Sequence, residues 1–117
     1  MPEKTYSLSR HTAEELISHV LRYTEEKWSV TVQRRDLDEE LTVIQIYTFR
    51  FLHGALPVIM SGAEIVINLS FLKGRGEVKV VSNIGRMGMS MIGAVVEGFK
   101  AARILNSIRA EMDRYMS

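Results

Sequence analysis

The sequence predicts an α+β fold: a two-layer sandwich with a mainly antiparallel sheet and two helices on one face, in β-α-β-β-β-β-α order. Three observations carry this. In the last quarter, Ser90 to Tyr115, apolar residues recur in three- and four-residue steps through Met91, Ala94, Gly98, Ala101, Leu105, Ile108, Met112 and Tyr115. That is the seam of a long helix. Glu64 to Leu72 and Glu77 to Ile84 alternate apolar and polar residues on either side of Lys73-Gly74-Arg75-Gly76, the pattern of a hairpin with one buried face. Thr12 followed by Glu15 is a capping box at the head of a second amphipathic stretch.

Lys4 to Ser9 sets Tyr6 and Leu8 against Thr5, Ser7 and Ser9, as a short strand with one wet face does. The capped helix runs to about Lys27. Ala13, Leu16, Ile17, Val20, Leu21 and Thr24 form its core side, and Glu14, Ser18, Arg22 and Glu25 face water. Trp28, Val30 and Val32 alternate with Ser29, Thr31, Gln33 and Arg35 in a second strand, and Asp36 to Glu40 is an acidic turn. Leu41 to Leu52, rich in β-branched and aromatic residues, reads as a long strand. Val43, Tyr47, Phe49 and Phe51 share one parity while Ile44 and Ile46 hold the other, so a bulge or cover on both faces is expected.

The connection His53 to Ala63 contains Leu56, Val58, Ile59 and Met60, although such connections are normally short and polar. Beyond it, Ile65, Ile67, Leu69 and Phe71 are expected inward on one arm of the hairpin. Val78, Val80 and Ile84 face inward on the other, with Ser82 as the polar member of that row. Ser90 is the expected N-cap of the last helix. Its seam grades from small to bulky residues, so the first half is expected to press closely on the sheet. A mid-helix glycine costs about 1 kcal/mol relative to alanine, and close approach at Gly98 would justify it. On that reading Gly98→Leu is severely destabilising.

This element order resembles that of the TATA-binding-protein-like fold and, more loosely, a shortened helix-grip fold. The chain also looks like a small bacterial domain. The resemblance spans the whole chain and lies in element order alone. Folds of this kind host unrelated functions, so it implies an architecture and no activity.

An apolar fraction of 46% and a charged fraction of 25% suit one soluble domain over residues 1–117. A net charge of +1 gives no global attraction for a polyanion. The absence of cysteine excludes disulfides, thiolate catalysis and cysteine metal sites. The opening Met-Pro-Glu-Lys-Thr-Tyr has no apolar signal region, and no run approaches the roughly 18 apolar residues of a membrane span. A cytoplasmic protein without a membrane span is expected.

Few residues suggest chemistry. Gly85 to Gly93 joins a strand to a helix, where free amides can hold phosphate. It lacks both the Gly-Lys-Ser/Thr of a phosphate loop and the dinucleotide spacing, so a tight turn is the better reading. His11, His19 and His53 have no partner at metal-ligand spacing, so no metal or cofactor is expected. His19 and Tyr23, one turn apart, fit either a proton shuttle or the boundary of the buried side, and more simply the boundary. Glu97 sits beside the seam, where burial raises a carboxylate's pKa, or where Lys100 or a strand arginine pairs with it. Arg34, Arg35, Arg50, Lys73, Arg75, Lys79 and Arg86 lie on strands or their turns. Acidic residues interleave with them and no aromatic is clearly placed to stack a base, so nucleic-acid binding is not expected.

Two functional readings follow. The first is a non-catalytic module that self-associates as a homodimer or meets another protein through surplus apolar surface. That surface comprises Leu56, Val58, Ile59 and Met60, and a second helix stripe of Ile92, Val95, Val96 and Phe99 that ends at Arg103. The second is a small-molecule binder or enzyme with a pocket between the last helix and the sheet. Ser82, Glu97 and Gln45 are its polar candidates.

Overall fold

The computed structural model describes the backbone of residues 3–48, 65–86 and 91–117, and the side chains of these except at 86 and 91–97. The elements follow in the expected order: β1 (Glu3–Ser7), α1 (Ala13–Lys27), β2 (Thr31–Asp36), β3 (Leu41–Tyr47), β4 (Ile65–Gly74), β5 (Glu77–Arg86) and α2 (Met91–Met116). The five strands form one antiparallel sheet in the order β1-β5-β4-β3-β2. β1 and β2 therefore lie at opposite edges and run the same way. An antiparallel neighbour needs only a turn, but same-direction strands need a crossover, and α1 supplies it across the width of the sheet.

α1 begins where its capping box places it. Glu15 N donates to Thr12 Oγ1 and Thr12 N donates to Glu15 Oε2, each at 3.1 Å. Leu16, Ile17, Val20 and Thr24 are buried, and Thr24 spends its hydroxyl on the Val20 carbonyl at 2.7 Å. The helix stops at Trp28, whose extended backbone still donates to the Thr24 carbonyl. Val30 is buried ahead of the ladder, and the paired strand starts at Thr31.

The hairpin of β4 and β5 turns through Arg75 and Gly76, with Gly74 opposite Glu77. Gly76 has φ of 76°, a left-handed conformation that only glycine adopts readily. Ile65, Ile67, Leu69 and Phe71 of β4 and Val78 and Val80 of β5 all face the helices and are buried. Ile84, expected among them, is 44% exposed. β1 pairs with β5 only as far as Val81, so the far half of β5, still paired with β4 on one side, has no described strand on the other.

On β3 the bulge is absent from the described part. Pairing with β4 runs without a break from Leu41 opposite Leu72 to Tyr47 opposite Val66. Thr42, Ile44, Ile46 and Thr48 are fully buried, so the even parity faces the helices. The competing odd parity is partly covered on the other face, where Val43, Gln45 and Tyr47 are half-buried. Phe49 and Phe51 lie outside the described residues.

α2 packs by its bulky half. Ala101, Ile104, Leu105, Ile108 and Met112 are buried against the sheet and α1, and Ile104 widens the expected seam into a core-facing stripe. Full burial of such side chains contributes about 1.5–3 kcal/mol each. At Gly98 the close approach is not seen: a Cβ placed there meets nothing within 4 Å among the described residues.

Candidate functional site

β1 alternates, so Lys4 and Tyr6 share its helix-facing side, opposite Val80 and Val78 of β5. Ser82 continues that face of β5 and is 5% exposed. Above them α2 carries Arg109 and Asp113 one turn apart, beside the buried Ile108 and Met112. The space left between helix and sheet edge is a cavity of about 90 Å³. Leu69, Val80 and Met112 are its apolar lining, and Glu3, Lys4, Tyr6, Ser82 and Arg109 its polar lining.

The polar groups are mutually ordered. Arg109 Nη2 donates to Ser82 Oγ at 2.6 Å. Tyr6 OH donates to Asp113 Oδ1 at 2.8 Å, and Lys4 Nζ pairs with the same oxygen. Burial, then the Asp113 hydrogen bond, raises the Tyr6 phenol well above its ordinary value, so it stays protonated. The Lys4 hydrogen bond holds Asp113 below the usual carboxylate range despite partial burial. Glu3 pairs with Lys79 at 2.7 Å. Each acid near the cavity therefore has its cation. Arg109 is half-buried, and no described carboxylate lies within ion-pair distance of it. Ser82 accepts from a cation, which withdraws charge from its oxygen rather than activating it as a nucleophile. The arrangement suits holding an anion more than moving a proton.

Of the residues the sequence singles out for a pocket, Ser82 lies at this one. Gln45 lies on the opposite face of the sheet, because its parity is that of Val43 and not of the buried Ile44. The Glu97 side chain is outside the described set, as are those of Ile92, Val95 and Val96 and all of Leu56, Val58, Ile59 and Met60. Lys100 donates to the Thr48 carbonyl at 2.7 Å. Phe99 is 72% exposed.

The open face carries a feature the sequence pattern did not reveal. Gln33, Gln45, Asn68 and Asn83 stand in one row across four strands. Gln45 Nε2 donates to Asn68 Oδ1 at 3.2 Å, and Asn68 Nδ2 to Asn83 Oδ1 at 3.1 Å. Gln45 Oε1, at the head of this chain of donations, is buried and has no partner among the described residues.

Among the described residues the strand cations are divided between the two faces of the sheet. Arg34 and Lys73 face the helices and bind Glu14 at 2.7 and 3.4 Å. Arg35 and Lys79 stand on the other face, on well-separated strands. His19 and Tyr23 serve the boundary between helices, His19 Nε2 with Glu111 Oε2 at 2.7 Å and Tyr23 with Ser107. Tyr115 stacks on both His11 and His19. Among the described residues there is no group of three or more potential metal ligands, and no helix long and apolar enough to cross a membrane.

Lys4, Tyr6, Arg109 and Asp113 escaped the sequence reading because they come from opposite ends of the chain. Their one local trace is a pair of polar residues, one turn apart, flanking an otherwise apolar seam. Comparison with known protein families, with curated proteins and with solved structures finds no match.

Proposed function

We propose that the chain is a non-catalytic cytoplasmic interaction module that self-associates as a homodimer through the outer side of α2. The observation that carries this reading is Phe99, a large apolar side chain 72% exposed. It stands about 200° round the helix from the buried Ala101, and helical spacing puts Ile92, Val95 and Val96 on its side. A contiguous exposed apolar surface is rare on a monomer and usually marks a contact. Ile84 adds a second exposed apolar residue, 44% exposed, on the half of β5 beyond β1. An unpaired strand edge is a ready template for another chain, and a two-fold pair buries the same patch twice. Nucleic acid is not an expected partner, since the described cations are divided between the two faces. Sedimentation of the wild type should give a dimer, and Phe99→Glu a folded monomer. A wild type still monomeric at about 100 μM, where a micromolar dimer is almost fully formed, ends this reading.

A second reading, a small-ligand binder, is favoured by the cavity under Arg109. Native mass spectrometry of the purified protein, showing a retained or added small molecule, is its test.

A further inference from the structure

We propose that the cavity under Arg109 binds the carboxylate of a small aliphatic acid, an inference that rests on the small-ligand reading. Arg109 carries five donors on a planar fork, and among the described residues its one hydrogen bond is to Ser82 Oγ at 2.6 Å. A half-buried guanidinium has lost part of its hydration, so an unfilled fork beside a cavity is a standing preference for an anion. The neighbouring acids do not fill it. Asp113, one turn on, is held by Lys4 and Tyr6, and Glu3 by Lys79. Both of these bonds go to Asp113 Oδ1 and fix the carboxylate toward β1. With Lys4 and Lys79 matched against Asp113 and Glu3, Arg109 leaves the site one positive charge in excess.

The remaining walls choose among anions. Leu69, Val80 and Met112 present hydrocarbon opposite the polar rim, which suits a short alkyl chain and not a second charge. A volume of about 90 Å³ holds a group of only a few heavy atoms. A carboxylate meets a guanidinium with two parallel hydrogen bonds in one plane. Phosphate has polar oxygens on every side and would turn some of them onto the apolar wall, where desolvation is costly.

The test is an NMR titration of the full chain with propionate, with propionamide as its neutral isostere and with inorganic phosphate. Propionate is expected to shift the amides of Val80, Ser82 and Arg109 saturably, with propionamide about tenfold weaker. Arg109→Gln should erase the difference between the two. The wild-type comparison decides the matter even if that variant folds poorly. Equal binding of propionamide and propionate at those amides overturns the carboxylate preference and leaves the pocket standing. Tighter binding of phosphate also overturns it. No saturable shift from any of the three at about 20 mM, where a millimolar site is nearly full, overturns the inference, while the small-ligand reading is decided separately by the native mass spectrometry.

Discussion

Glu111 should make the packing of α2 on α1 sensitive to acid. Its side chain is 11% exposed, bridged between His19 Nε2 at 2.7 Å and Arg114, whose Nη2 and Nε donate at 2.6 and 2.8 Å. The Arg114 hydrogen bonds first, then the His19 bond, pull its pKa from 4.5 down to about 2. The folded carboxylate is thus the weaker base, and its contribution to stability is complete above about pH 4.5. It is lost progressively as pH falls from about 4.5 through about 2, below which folded and unfolded forms are both protonated. The drop from 4.5 to about 2 sets an upper limit of about 3.4 kcal/mol. Arg114 is 70% exposed, and exposed pairs of this kind contribute little in water, so about 1–2 kcal/mol is the working figure. Glu111→Gln keeps the shape and removes the charge. Urea denaturation of both proteins at about pH 7, 5 and 3 should show the variant less stable by that amount at neutral pH, with the gap closing in acid. Other paired carboxylates, Asp36 and Asp113 among them, also have lowered pKa values, so both proteins weaken in acid and only their difference isolates Glu111. Curves that stay parallel from neutral pH to pH 3, about one unit above the folded pKa, refute the reasoning.

Two further outcomes test the packing. Gly98→Ala should raise stability by about 1 kcal/mol, several degrees in melting temperature, since no described atom lies within 4 Å of the added Cβ. An unchanged or lower midpoint would place a neighbour against it. Ile108→Ala removes a fully buried side chain from between helix and sheet and should cost about 2–5 kcal/mol in urea denaturation. A loss under about 1 kcal/mol would mean that this half of α2 is not seated.

What the sequence determined by itself is what depends on near neighbours. The capping box of Thr12 and Glu15, the alternation of Ile65 to Phe71, the glycine of the hairpin turn and the seam from Ala101 to Met112 each rest on relations between residues two to four positions apart, or on one residue's own backbone. Each is settled by backbone geometry and by the period at which apolar side chains share a face. On β3 the two parities carry comparable hydrophobicity, and only pairing with β4 chose Ile44 and Ile46 for the core. Gly98 offers the reverse lesson: its smallness suggested a close neighbour, and space is a property of what lies opposite, which no local pattern reports. The cavity is wholly a tertiary product. The chain reversal that sets β1 against β5 brings Lys4 and Tyr6 under Asp113, 109 and 107 residues away. The row of amides across four strands needs three registers to agree at once. Contacts of that reach are decided by which strands become neighbours, and that choice is made by the core as a whole rather than by any stretch of the sequence.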